Sequence, residues 1–376
     1  MENYHSYERY QRQVILKEFG ESGQAKLLHA KVLVIGAGGL GCPALQYLAA
    51  AGIGTIGIVD DDVVQLSNLH RQVLYTVEDI GKSKAGTAAE KLRRLNPGIL
   101  IFTYAERITV KNASAIINEF DIVIDGTDNF ASRYMINDAC VLLDKVLVYG
   151  SVSTYEGQVA VFNKKEPGGT AANYRDLFPH PPQQYEVPNC AEAGVLGVLP
   201  GIIGTMQANE TIKLLTGIGE PLINRILTYS SLTNEIYQMA IPWNAATRSL
   251  IPADRAAFEK TDYEWLCGST DTVSLEIDPV SFGVLLAEGK VDVIDVRENG
   301  ETPSLDELPH QKMPLGNLEN HFSHVRNNTV VTICQSGARS LLAARKLNNF
   351  FGPAKRVYSL RGGIFAWKNY HEKESG

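Results

Sequence analysis

The stretch Lys31–Asp62, KVLVIGAGGLGCPALQYLAAAGIGTIGIVDDD, decides the fold. An apolar run of strand type (KVLVIG) meets the glycine cluster Gly36-Ala37-Gly38-Gly39-Leu40-Gly41. The helix-like LGCPALQYLAAAG and a second apolar run, TIGIVD, come next. No charged residue falls between Val32 and Val59, so hydropathy alone would allow a membrane span. The glycines and Pro43 interrupt that reading, and the order fits strand, loop, buried helix and strand, which is a βαβ unit. In this context Gly36, Gly38 and Gly41 form a dinucleotide-fold fingerprint, with Asp60 at the end of the next strand. Glycines let backbone approach a phosphate, the helix N-terminus attracts it, and the acid binds ribose hydroxyls. The fingerprint implies a nucleotide without distinguishing NAD from ATP. The plainer alternative is a tight turn in an ordinary α/β core.

Further apolar runs lie at Ile99–Tyr104, Asp121–Asp125 and Val146–Gly150, with a helical stretch at Lys84–Leu95. The alternation predicts an α/β fold, a Rossmann-like, mostly parallel sheet with helices on both faces. Residues 164–189, rich in proline and glycine, read as a loop or mobile crossover. A helix near Gly201–Leu215 and strands Arg225–Tyr229 and Ile236–Ile241 close this part. Pro242–Thr272 has weak periodicity and reads as a linker. Beyond it, Val291–Val296, Thr329–Ile333 and Val357–Leu360, with helices at Ala338–Asn349 and Phe365–Tyr370, predict a smaller α/β domain. The expected partition is 1–241, 242–272 and 273–376.

Composition narrows the function. With 376 residues, 44% hydrophobic and 20% charged, the chain has enough apolar material for more than one core, and disorder, collagen and coiled-coil readings lose most of their weight. A net charge of −7 argues against a surface that neutralises nucleic-acid phosphates. The polar N-terminus has no signal-peptide pattern. Five cysteines, an odd number without a CxxC pair, do not read as a disulfide framework. These features point to the reducing cytoplasm, with no nucleic-acid or membrane partner.

The residues beyond Asp60 decide between nucleotides. Ser67-Asn68-Leu69-His70-Arg71-Gln72, then Lys84, then Asp125-Gly126-Thr127-Asp128-Asn129 put cations and an acid near the carboxyl ends of successive strands. Hydride transfer needs a dry stacking pocket. Adenylyl transfer needs cations on a triphosphate and a carboxylate for Mg²⁺ while a substrate carboxylate attacks the α-phosphorus. Taken singly, each residue also has a dull reading as a solvated cation or a turn former.

The ordered set RYQRQ, GAGGLG, IVDDD, SNLHRQ, GKSKA and DGTDN resembles the MoeB/ThiF-type, ubiquitin-activating-enzyme-like adenylyltransferases of molybdopterin and thiamine biosynthesis, over roughly residues 1–240. The resemblance implies that the glycine loop (Gly36, Gly38, Gly39, Gly41) and Asp60 bind ATP. It places Ser67, Asn68, Arg71, Lys84 and Asn129 in the same site and makes Asp128 the acid of the Mg²⁺-dependent step. Arg12 matches an arginine that reaches into a partner subunit's nucleotide site, which implies a homodimer. The implied substrate is a ubiquitin-like sulfur-carrier protein whose C-terminal Gly-Gly carboxylate becomes an acyl-adenylate. The N-terminal RYQRQ and the fused second domain favour the molybdopterin branch over the thiamine carrier.

Among the cysteines, Cys334 lies in CQSGARS between a strand and a helix. There loop N–H groups, the helix dipole and Arg339 would stabilise a thiolate or persulfide and lower the thiol pKa. Cysteine phosphatases share the pattern with a loop one residue longer. With DVRE at Asp295–Glu298 and GGIFAW at Gly362–Trp367, the segment resembles a rhodanese domain, which implies that Cys334 carries sulfane sulfur from a persulfide donor such as a cysteine desulfurase. Cys190, in PNCAEAGVLG, matches a position reactive in some relatives. Cys42 and Cys140 read as core residues, and nothing around Cys267 suggests activation.

The sequence departs from these families in two places. Two CxxC pairs that hold structural zinc in relatives are missing, which predicts no zinc here. The rhodanese segment also lacks the usual GHIPGA stretch. The expected sequence of events is adenylation by the first domain, attack of a Cys334 persulfide on the acyl-adenylate, and release of a thiocarboxylate, with Cys190 as candidate reductant. Shortening the 242–272 linker is expected to abolish sulfur transfer while sparing adenylation. Two other classes compete: an NAD-dependent oxidoreductase with a sulfur-binding accessory domain, and a non-catalytic scaffold for a ubiquitin-like protein.

Overall fold

The computed structural model describes residues 2–166, 168–181, 194–263, 275–305 and 307–374, which fall into two compact units, 1–269 and 270–376. The first is built on an eight-stranded sheet: β1 Lys31–Ile35, β2 Thr55–Val59, β3 Leu100–Tyr104, β4 Ile122–Asp125, β5 Val146–Ser153, β6 Glu156–Phe162, β7 Arg225–Ser230 and β8 Ile236–Ala240. The strand order is β3-β2-β1-β4-β5-β6-β7-β8. The first five pair in parallel and the last three antiparallel. Alternation in KVLVI explains why both faces of β1 are covered. Val32 and Val34 join the core under the helices Gly41–Ala51 and Lys84–Leu95, whereas Leu33 and Ile35 join the opposite core under Ala113–Asn118 and Phe130–Leu142.

This order places a topological switch point between β1 and β4, because chain leaving β1 goes to β2 on one side while β4 lies on the other. Open α/β sheets bind ligands at such a crevice. The turn there must be glycine. Gly36 has φ +94°, and a Cβ on it would lie 2.8 Å from the Gly126 carbonyl oxygen. Gly36 N–H donates to the Val59 carbonyl and Gly126 N–H to the Ile35 carbonyl, both at 2.8 Å, which ties the three strand ends together.

Two segments are more ordered than the sequence suggests. Within the expected mobile crossover, Asn173, Tyr174 and Arg175 are buried, and Tyr174–Leu177 forms a short helix against the sheet. Within the expected linker, Ala245–Leu250 is a 3₁₀ segment and Arg255–Lys260 a helix, with Phe258 and Tyr263 in the core of the first unit. Residues 242–263 of the expected linker are therefore folded onto the first unit, and 264–272 lie outside the described residues. The reason is polar as well as apolar. Asp138, fully buried, accepts from Arg175 Nε (2.9 Å) and Nη2 (2.7 Å) and from Tyr263 Oη (2.8 Å), closing a network that sequence periodicity does not register.

The second unit holds a parallel five-stranded sheet of β9 Glu276–Ile277, β10 Val291–Asp295, β11 Gln311–Lys312, β12 Thr329–Ile333 and β13 Arg356–Leu360, in the order β11-β10-β12-β13-β9. Pro279–Ala287, Ala338–Phe351 and Gly363–Glu374 are its helices. The run TVVTI of β12 is buried at every position, as a central strand covered on both faces requires. Among the described residues no helix is long and apolar enough to cross a membrane. The uncharged run Val32–Val59 is instead two strands and the helix between them.

Candidate active sites

The switch point opens into a cleft of about 370 Å³ at the carboxyl ends of β1, β2 and β4. Gly36, Gly38, Gly39, Asp60, Asn68, Arg71, Lys84, Asp128 and Asn129 all line it. Gly41 does not. It begins the helix Gly41–Ala51, and a Cβ on it would run into the Gly36 carbonyl, so it sets the loop's fold and presents the helix N-terminus to the cleft.

Asp60 Oδ2 accepts from Ala37 N–H (2.7 Å) and Oδ1 from Asp62 N–H (2.9 Å), so the carboxylate braces the glycine loop from β2. Burial raises its carboxyl above the ordinary range, against the lowering effect of the Ala37 N–H and Lys84. Lys84 is the first residue of Lys84–Leu95, capped by Ser83. It is buried, and its Nζ lies 2.8 Å from Asp62 Oδ2. Arg71 Nη1 donates to the Ser67 carbonyl at 3.0 Å. Asp128 is exposed at the cleft, while Asn129 caps Phe130–Leu142 by accepting from Ser132 N–H at 2.9 Å.

Two expected residues lie elsewhere. Ser67 is exposed outside the cleft lining and contributes its carbonyl to Arg71. Arg12 is exposed on the helix Glu2–Val14. That helix packs through Tyr10 near Gly52, at the end of Gly41–Ala51 remote from the glycine loop, so Arg12 does not line its own chain's cleft.

The structure adds residues that sequence reasoning passed over. Arg133 is buried, lines the cleft, donates to the Thr127 carbonyl at 3.2 Å and sits over the Phe130 ring (5.5 Å to its centre). Its signal was its place one turn beyond Asn129 in a helix that starts at the site. Gln72 is 3% exposed, lines the cleft, and its Oε1 has no partner among the described residues. Asp125, below the cleft, accepts from Thr127 N–H and Oγ1 through one oxygen. Burial pushes its carboxyl up.

A second site lies in the second unit. Cys334, at the end of β12, is 1% exposed, and its Sγ receives Gly337 N–H (3.2 Å) and Ser340 Oγ–H (3.4 Å) at the start of Ala338–Phe351. Gly363 permits the close return of the chain, since a Cβ there would collide with the Cys334 carbonyl. Arg339, expected to stabilise the sulfur, forms a two-pronged pair with Glu301, both contacts at 2.6 Å. Cys190 and Cys267 lie outside the described residues. Cys42 and Cys140 are fully buried, and burial pushes the Cys42 thiol up to about 12 and raises that of Cys140.

The donor set of the first cleft fits a nucleoside triphosphate. A cradle without Cβ atoms, a helix N-terminus, and the cations Arg71 and Lys84 all converge there. Among the described residues no group of three or more His, Cys, Asp or Glu could hold a metal alone.

A doubly wound sheet with a phosphate-binding switch point, followed by a unit with a cysteine at a helix N-terminus, defines a two-part nucleotide and sulfur enzyme. The ThiF family model matches residues 10–249 and the Rhodanese-like domain model residues 279–370. A probable adenylyltransferase/sulfurtransferase MoeZ of Mycobacterium tuberculosis is 41% identical, covering 96% of this chain and 92% of its own. An adenylyltransferase and sulfurtransferase MOCS3 of Xenopus laevis is 37% identical over 96% of this chain and 85% of its own. A sulfur carrier protein adenylyltransferase of Thermus thermophilus is 47% identical, covering 69% of this chain and 96% of its own. A crystal structure of E. coli MccB matches 63% of this chain and 72% of that one, with TM-score 0.55 and 22% identity, a likeness of fold. The chain belongs to the ThiF family and carries a C-terminal rhodanese-like domain. It is an adenylyltransferase and sulfurtransferase.

Proposed function

We propose that this protein adenylates the C-terminal Gly-Gly carboxylate of a ubiquitin-like sulfur-carrier protein with ATP and then converts it to a thiocarboxylate. One observation carries the reading: a single chain holds both a cationic, glycine-floored cleft and a cysteine whose sulfur is aimed at helix N-terminal donors.

In the first unit the glycine loop takes the phosphates, Asp60 the ribose, and Asn68, Arg71 and Lys84 the triphosphate charge. Arg133 and Gln72 complete the walls. Mg²⁺, held by Asp128, would supply charge neutralisation of the phosphates. The carrier's carboxylate oxygen attacks the α-phosphorus in line, pyrophosphate leaves, and a poor acyl donor becomes a good one. Developing charge is met by groups already in place, so little reorganisation is needed. Arg12 would complete the nucleotide site of the partner subunit in a homodimer, consistent with its absence from its own cleft.

In the second unit a desulfurase-type donor would load Cys334 with sulfane sulfur, and Gly337 N–H and Ser340 Oγ would hold the resulting anion. The terminal sulfur attacks the acyl carbon and AMP leaves, giving an acyl disulfide. A second thiol then attacks the Cys334 sulfur and releases the thiocarboxylate, and Cys190 is the candidate on this chain. Such thiol chemistry suits the reducing cytoplasm. The molybdopterin-type carrier is favoured over the thiamine carrier by the N-terminal RYQRQ and the fused second unit. A nicotinamide reading has no support in a cleft lined by Arg71, Lys84 and Asp128.

The test is ATP–pyrophosphate exchange with each candidate Gly-Gly carrier, comparing the native protein with Asp128→Ala. Exchange that requires one carrier and is lost in the variant is expected. Failure to bind ATP at all would overturn the reading.

A further inference from the structure

Three cations near the sulfur loop of the second unit, Arg297, Lys312 and Arg339, are matched by carboxylates. Arg297 and Lys312 both pair with Asp295, at 2.8 and 2.9 Å. Arg339 gives both Nη groups to Glu301. Glu301 is itself held in place. Its Oε1 accepts from Glu298 N–H at 2.8 Å, and the adjoining turn is clamped by Arg297 Nη1 on the Pro303 carbonyl at 2.7 Å. The Arg339 pairing holds the Glu301 carboxyl well below its ordinary value. What meets Cys334 Sγ directly is a backbone N–H and a hydroxyl, both neutral.

We propose that Glu301 is a specificity-determining residue that neutralises Arg339 and so excludes small dianionic sulfane donors from Cys334, leaving a protein-borne persulfide as the donor the loop accepts. The proposal rests on the reading of Cys334 as the sulfur carrier. The two donor chemistries differ in charge and not in outcome. With thiosulfate, the Cys334 thiolate attacks the outer sulfur, the S–S bond breaks, and sulfite leaves with the electron pair. With a persulfide, the same attack expels the donor's thiolate. Both give the Cys334 persulfide and neither needs an added oxidant. Only the first brings two negative charges to a loop whose nearest cation already has a carboxylate on it, and a like charge close by costs a large part of the binding energy.

The experiment compares thiosulfate-to-cyanide sulfur transfer with loading of Cys334 by a cysteine desulfurase and L-cysteine, read by mass as one added sulfur, in the full chain. E301Q is expected to lower the KM for thiosulfate and raise kcat/KM about tenfold, with desulfurase loading unchanged. In E301Q/R339Q the gain is expected to vanish. R339Q alone, which leaves Glu301 unpaired, is expected to raise the KM for thiosulfate and so tests the same charge without relying on E301Q folding. Unchanged thiosulfate KM in E301Q or R339Q, with desulfurase loading intact, overturns the proposal. Sulfur loading that persists in C334S overturns instead the reading of Cys334 on which it rests.

Discussion

Replacing Asp138 by Asn tests whether the buried polar network anchors residues 245–263 to the first unit. Asp138 is fully buried and accepts from Arg175 Nε and Nη2, from Tyr263 Oη and from Asn137 Nδ2. An amide keeps one acceptor oxygen and turns an N–H₂ group toward the guanidinium. Arg175, itself 3% exposed, then loses its counter-charge and retains the Tyr134 ring, 4.9 Å from its Cζ, as its main compensation. One charge-assisted hydrogen bond lost at about 1.5–3 kcal/mol, with an N–H₂ group now facing a guanidinium that has no counter-charge, brings the cost to the ~3–5 kcal/mol typical of breaking one side of a buried pair. That is a large part of the ~5–15 kcal/mol by which domains are stable. Tyr263→Phe removes only one hydroxyl and leaves the ion pair, so about 1 kcal/mol is expected. Urea unfolding monitored by fluorescence gives both values, and hydrogen exchange localises them. Asp138→Asn should deprotect 255–263 well before the strands. A loss below about 1 kcal/mol in Asp138→Asn, or equal losses in the two variants, would refute the reasoning.

The two sites and one further buried acid give three shorter predictions. Gly36→Ala places a Cβ 2.8 Å from the Gly126 carbonyl at a φ of +94°, so ATP binding, measured by calorimetry, should be lost even where the variant remains folded. Cys334→Ser should keep carrier-dependent pyrophosphate exchange and lose thiocarboxylate formation, read by carrier mass; loss of both would argue against separate sites. Burial by itself would raise the Asp79 carboxyl, but the Lys91 hydrogen bond and those from Thr76 N–H and Oγ1 hold it below the ordinary value. A depressed folded value stabilises above the unfolded pKa of about 3.9 and is lost as pH falls through the folded value. Asp79→Asn should therefore be less stable than the native protein at pH 7 and approach it in acid, and a pH-independent difference in urea midpoints would contradict this.

The local pattern of the chain was enough for much of the architecture. Period-two and continuous apolar runs, glycines at a strand-to-helix turn and an acid at the next strand's end are properties of neighbouring residues. The βαβ start, the parallel sheet and the helix Lys84–Leu95 were therefore legible without coordinates. Lys84 and Asp128 were legible as candidates for the same reason, since the ends of successive parallel strands must share one edge of a sheet. Relations between residues far apart in sequence were left to the tertiary structure. Asp138 finds Arg175 and Tyr263 across long separations, so a segment with weak periodicity became a folded part of the first unit. Gln72 and Arg133 enter the cleft because their helices and turns pack at its rim, and Ser67 turns away from it for the same reason. Sequence puts Arg339 in the cysteine loop, but a carboxylate from another loop claims its charge. Local spacing determines which element a residue belongs to. What each charge faces depends on long-range packing, where the cost of burying an unpaired group selects partners that no sequence window contains.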